Sequence, residues 1–125
     1  MKLEIDYVKN QGIVRVKISG QRSRDDKKKL SEETLAAGRK KNVNAFLLDQ
    51  KETAFGLSFL EIDRLPAVLR DTGFGVEDRM AILVNPDSLK GGPFRFLQDV
   101  ISLGPLQVQV FNNPEEATAW LKAKN

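Results

Sequence analysis

Apolar and polar side chains alternate from the first residues of the chain. Leu3, Ile5 and Tyr7 fall on one side of an extended backbone, and Lys2, Glu4 and Asp6 on the other. Lys9-Asn10-Gln11-Gly12 then reads as a turn, after which Val14, Val16 and Ile18 alternate with Arg15, Lys17 and Ser19. A period of two is the signature of a strand with one wet face. The spacing therefore predicts a β-hairpin at one edge of a sheet.

The periodicity changes after Gly20. Ser23 followed by Asp26 has the form of a helix cap with an acidic third residue, and it predicts a helix from about Arg24 to Lys41. Acids stand at its start and bases at its end, as the helix dipole favours. Its apolar stripe is thin, comprising Leu30, Leu35, Ala36 and Ala37. Gly38 beside it would let the helix lie close to a sheet.

Two runs lack alternation altogether: Ala45-Phe46-Leu47-Leu48 and Met80-Ala81-Ile82-Leu83-Val84. Strands that are apolar on both sides belong inside a parallel sheet covered by helices. Between them, Ser58 and Glu61 form a capping box, with Leu57 and Ile62 as its hydrophobic staple. This predicts a helix to about Asp71, closed by Gly73 and kinked or split at Pro66. Asn85-Pro86-Asp87-Ser88 opens a loop. Pro93 then starts a third helix through Phe94, Leu97, Val100 and Ile101, which Gly104-Pro105 ends. Val108 and Val110 alternate with Gln107 and Gln109 in a strand nearer an edge. Asn113 caps a last helix, with Pro114 at its first position, Glu116 at its third, and Ala117, Trp120 and Leu121 as its buried stripe. The order β-β-α-β-α-β-α-β-α predicts one α/β domain over residues 1–125. Its sheet would be mixed, mostly parallel and of about five strands, with four helices and the N-terminal hairpin at an edge.

Composition narrows the chemistry. The 125 residues contain no cysteine and no histidine. Thiolate chemistry, disulfides and histidine-based nucleophile pairs are thereby excluded. Any metal site would need oxygen ligands, and none is expected; no cofactor is implied either. Catalysis would rest on carboxylate, lysine or tyrosine groups. No apolar run approaches the roughly 20 residues of a bilayer span, and MKLEIDYV lacks the pattern of a signal peptide. A cytoplasmic protein is the simplest expectation.

Net charge is +3, but it is uneven. Residues 1–41 hold 12 lysines and arginines against 6 acids, while the remainder holds 8 against 11. The excess gathers at Arg22, Arg24 and Lys27-Lys28-Lys29, and again at Arg39-Lys40-Lys41. Asp25, Asp26, Glu32 and Glu33 interrupt it, and the aromatic interleaving of a single-strand binder is missing. The pattern is that of a solvated helix face and argues against a nucleic-acid partner.

Three features carry a resemblance: the hairpin leading from Gly20 into a charged helix, the strand Phe46-Leu47-Leu48 ending in Asp49, and the tail from Val110-Phe111 through Glu116-Ala117 to Trp120-Leu121. In these the chain resembles the SpoIIAA-like family, the STAS/SEC14-type domains. The resemblance implies a β-α superhelix around a mixed sheet and a non-catalytic module that engages a partner or ligand. Relatives in the wider group switch protein partners through phosphorylation of a serine after the third strand, and others carry apolar small molecules. Aligned on Gly56-Leu57, this chain has Phe55 in place of that serine, so the switch is not supported; helix capping accounts for Ser58.

Candidate chemistry clusters after the central strands. Asp49 and Asn85 follow the two continuous apolar runs, where ligands of open parallel sheets sit. Lys51 and Lys90 flank them in the loops, and Arg22 or Arg24 could approach. Asp49 equally suits a turn residue capping local N–H groups. Lys90-Gly91-Gly92-Pro93 precedes a helix and could hold an anion through Gly91 and Gly92, although Pro93 removes a donor. Phe55, Leu57, Phe59 and Leu60 could line an apolar cleft or face a partner, or simply join the core. Asp71-Thr72-Gly73 matches the aspartic-protease tripeptide, but in a helical context it reads as a helix end. The expectation is a non-catalytic binding or regulatory module whose protein partner or small apolar ligand meets the loops after the third and fourth strands. A lipid-like carrier and an Asp/Lys enzyme at Asp49, Lys51 or Lys90 are its rivals. The exposed hairpin leaves room for a homodimer.

Overall fold

The computed structural model describes residues 2–20, 24–51, 59–85 and 106–123, together with Val100 and Gly104; the side chains of 24–28 and 59–62 lie outside that description. In chain order the elements are β1 (Lys2–Val8), β2 (Ile13–Ser19), α1 (Arg24–Lys41), β3 (Ala45–Asp49), α2 (Phe59–Thr72), β4 (Arg79–Leu83), β5 (Gln107–Phe111) and α3 (Pro114–Lys122). The five strands form one mixed sheet in sequential order, β1-β2-β3-β4-β5. β1 and β2 are antiparallel, and the other three pairings are parallel. Three helices, not four, lie among the described residues. Of the expected third helix only Val100 is described, where it is helical and buried.

Sequential order has a consequence for layering. Crossovers between parallel neighbours are right-handed, so crossovers that advance across the sheet in one direction fall on the same face. α1 and α2 do so. Leu30 and Leu69, with Leu35 and Leu65, pack on Val14, Val16, Ile18, Phe46, Leu48, Met80 and Ile82. The opposite face presents Ile13, Leu47, Ala81 and Leu83, which α3 covers with Ala117 and Leu121. β3 and β4 are therefore buried on both sides, which is why their sequences do not alternate.

Helix ends explain much of the chain path. At the end of α1, Asn42 takes a left-handed conformation with φ of 56°. Its N–H donates to Arg39 O, and the Val43 N–H donates to Gly38 O at 2.8 Å. At the end of α2, Gly73 takes the same part with a positive φ. Its N–H reaches Arg70 O and the Phe74 N–H reaches Leu69 O, both at 3.1 Å. Each is the double closure of a Schellman motif, and each turns a buried side chain, Val43 or Phe74, back into the core. Asp71-Thr72-Gly73 is thus a helix terminus.

Two expectations need correction. α2 runs through Pro66 as one helix rather than splitting. Proline removes a single backbone bond, and α2 is held by the buried Leu69 and by its closed C-terminus. In α1 the fully buried positions facing the core are Leu30, Thr34 and Gly38, Leu35 and Ala37 pack partly buried against it, and only Ala36 of the expected stripe is exposed. The spacing of four places one residue per turn on the sheet.

Gly38 decides how close α1 can lie. A Cβ there would stand 2.5 Å from the Phe46 ring and 2.9 Å from Val43 O. Phe46 is itself wedged edge-on against Phe74, with ring centroids 5.4 Å apart. Gly38→Ala improves helix propensity by about 1 kcal/mol. The overpacking cost of about 1–3 kcal/mol should equal or exceed that, because the Phe46 ring and the Val43 carbonyl cannot both yield. Urea unfolding should show a lower midpoint for the variant; an unchanged or higher one would contradict the close approach. Thr34 is a converse case, since its buried hydroxyl has no hydrogen-bond partner. Thr34→Val keeps the shape and removes the unmet polar group, so the same measurement should show a gain of about 1 kcal/mol.

Candidate functional site

β3 and β4 end side by side, and the backbone ladder continues past both. The Gln50 N–H donates to Leu83 O at 2.8 Å and the Val84 N–H donates to Phe111 O at 2.9 Å. Because β2 runs parallel to β3 with Lys17 opposite Asp49, the Asp49 side chain emerges on the face that carries Arg15 and Lys17. Asp49 is only 3% exposed. Burying a carboxylate demands donors, and two supply them: Arg15 Nη2 donates to Oδ2 at 3.2 Å, and the Lys51 N–H donates to Oδ1 at 3.2 Å. The second contact is an Asx-type turn, so Asp49 does cap a local N–H as its sequence context allowed. Asn85 Nδ2 reaches Lys51 O at 3.5 Å and ties the start of one loop to the start of the other.

Asp49, Asn85 and the Lys51 backbone are thus brought together. Arg15 joins them without having been singled out, because only the β2–β3 register puts it beside Asp49. Phe55, Leu57, Lys90, Arg22, Gly91 and Gly92 lie outside the described residues. Phe59 and Arg24 open α2 and α1, but their side chains are likewise outside the description. The crevice expected at the carboxyl ends needs adjacent crossovers to leave on opposite faces. α1 and α2, which follow β2 and β3, leave on the same one. An open concavity of about 360 Å³ lies instead at the amino-terminal ends of the strands, lined by Tyr7, Lys41, Asn42, Asn44, Glu77 and Arg79 among others.

That amino-terminal end holds a second charged cluster, which the sequence reading missed. Asp78, 1% exposed, accepts from both Nη atoms of Arg39, at 3.0 and 2.8 Å, and from the Gly75 N–H at 2.8 Å. Arg39 Nη1 also reaches Asn44 Oδ1 at 3.2 Å. The hydrogen bonds to Asp78 raise the Arg39 pKa above its ordinary value, and the charges of Asp78 and Glu77 add to this against the cost of desolvation. The guanidinium therefore stays charged across the accessible pH range, and the bidentate pair joins the last turn of α1 to the loop before β4. Next to it, Arg79 Nη1 donates to Trp120 O at 2.8 Å and Ala123 O at 2.7 Å, and its guanidinium lies 5.4 Å from the indole ring centroid. A cation on the last carbonyls of a helix satisfies them and complements the dipole. At the other end of α3, Asn113 Oδ1 accepts from the N–H groups of Glu115 and Glu116, as its position before Pro114 predicts. The sequence signal for the missed cluster is Asp78-Arg79 directly before an apolar run.

Among the described residues no group of three or more acidic side chains is placed to hold a metal ion, and no helix is long and apolar enough to cross a membrane. No family model matches the chain, and neither does any curated protein or solved structure.

Arg79→Ala should loosen the C-terminal helix without unfolding the sheet. Trp120, the only tryptophan, reports on it directly. Its emission should shift to the red at a temperature where the far-ultraviolet dichroism is unchanged. Identical emission and melting in the variant would show that Arg79 does not hold α3.

Proposed function

We propose that the protein is a non-catalytic binding or regulatory module of the SpoIIAA-like type, cytoplasmic, which engages a protein partner through the two loops that leave β3 and β4. The observation that carries this reading is the polar cluster at the carboxyl ends of β3 and β4. Asp49, Arg15, the Lys51 backbone and Asn85 join the ends of two strands that are buried on both faces. A rigid base from which adjacent loops depart is the common arrangement for presenting a binding surface.

Three further features support it. The mixed sheet is of the kind that the resemblance implies. α1 and α2 share a face, which removes the crevice that a small ligand would use between β2 and β3 and favours an exposed surface. The Asp49 carboxylate, which the enzyme reading needs as a base, already accepts from Arg15 and the Lys51 N–H.

A photo-crosslinking residue placed at Lys51 tests the locus, with one at Glu115, at the start of α3, as the control. In cells of the source organism, adducts of a discrete partner should form from position 51 and not from position 115. Denaturing mass spectrometry of the purified chain separates the rivals. A stoichiometric co-purified lipid-like molecule would replace this reading with that of a carrier.

A further inference from the structure

β1 is the end strand of the sheet, and among the described residues nothing pairs with its outer edge. Such edges are normally blunted by shortness, charged side chains, a proline or a bulge. Of these β1 has only the charges, Lys2, Glu4 and Asp6, all on one face. It is seven residues long, lacks proline, and pairs with β2 in unbroken register from Lys2↔Ser19 to Val8↔Ile13. The described residues include three exposed large apolar side chains, and two of them, Ile5 and Tyr7, belong to β1. Their register partners Val16 and Val14 put both on the α1 face. Leu3 lies on the same face, packed against the core. An apolar row thus runs along a complete, open edge.

Charges occupy the other face of the strand, and their order selects an occupant. Two copies of β1 that meet antiparallel across a two-fold axis must keep each face on its own side. Centring the axis on Ile5 sets Glu4 against Asp6 twice, which is repulsive. Centring it on Glu4 sets Lys2 against Asp6 twice and Leu3 against Ile5 twice. The single like pair, Glu4 with its copy, then lies between the two copies of Lys17, the register partner of Glu4 in β2. Lys2 Nζ stands 3.5 Å from Glu4 within each chain. Centring the axis on Leu3 also opposes unlike charges, Lys2 against Glu4, but pairs only residues 2–4 of the strand, whereas the Glu4-centred register pairs the whole of Lys2-Leu3-Glu4-Ile5-Asp6.

We infer that the chain forms a two-fold homodimer through β1, with Lys2 of each copy opposite Asp6 of the other and the two sheets joined into one of ten strands. This assignment is independent of the proposed function, whose loops leave β3 and β4. Light scattering on the full chain at tens of micromolar should give a mass twice the 14.0 kDa of one chain. Lys2→Asp, at a highly exposed position, opposes two pairs of like charges and should weaken dimerisation about tenfold. Asp6→Lys should do the same. The double variant Lys2→Asp/Asp6→Lys restores both opposite-charge pairs and should recover the dimer, even though position 6 then sets a cation opposite Arg15 within its own chain. Recovery therefore separates pairing across the axis from a fault inside the monomer. A mass of one chain for the native protein overturns the inference. So does a dimer that is indifferent to the single variants, and so does a double variant no better than either alone.

Discussion

β3 and β4 carry an unbroken apolar sequence, and neither of their faces can be left in water. Phe46, Leu48, Met80 and Ile82 need cover on one side, and Leu47, Ala81 and Leu83 on the other. Each of these side chains larger than alanine contributes about 1.5–3 kcal/mol when fully buried, so this two-sided requirement outweighs any single contact elsewhere. It fixes a three-layer arrangement, with α1 and α2 on one face and α3 on the other. It also sets the distances. α1 reaches Phe46 only because Gly38 has no side chain, and both long helices must end abruptly so that Val43 and Phe74 fold back under them.

The charged groups follow from the same constraint. Asp49 ends β3 and Asp78 immediately precedes β4, and both are drawn below the surface by the strands they adjoin. Each is compensated by an arginine from a neighbouring element, Arg15 or Arg39, and by one backbone N–H. The arginines remain about half exposed, so water offsets part of each attraction and these pairs add less than fully enclosed ones would. Their larger effect is positional. Losing either acid would leave a backbone N–H and a guanidinium without their acceptor, which penalises every arrangement that separates the elements they join. Arg79 acts similarly on α3, fastening the last carbonyls of a nine-residue helix that would be marginal alone.

The two ends of the sheet differ in consequence. At the amino-terminal end, Arg39, Asp78 and Arg79 bind α1, β4 and α3 together, so that region is committed to holding the fold. At the carboxyl end, the Asp49 cluster joins only the first residues that follow β3 and β4. A sequential sheet whose first two crossovers share a face has no topological switch point between β2 and β3. The edge strand β1 lies apart from both ends. The single antiparallel pairing of the sheet places it there, with one lateral side unpaired among the described residues.

Periodicity alone located the strands, the ends of α1, the cap of α3 and the closure of α2 at Gly73, because each depends on neighbours within a few residues. It also identified β3 and β4 as interior strands, since two-sided burial abolishes alternation. The same local reasoning allowed a split at Pro66, which does not occur, because one missing bond is tolerated once α2 is packed. It also misplaced Ala36, which faces solvent because the stripe is set by the position of the sheet. Of the candidate site, Asp49, Lys51 and Asn85 were legible as residues that follow buried strands. Arg15 was not, for it is 34 residues from Asp49 and looks like any other polar position of an alternating strand. Arg39 and Asp78, 39 residues apart, were hidden for the same reason. A chain's pattern records which side chains avoid water, but the partner of a buried charge depends on strand order and register, and only the assembled sheet decides these.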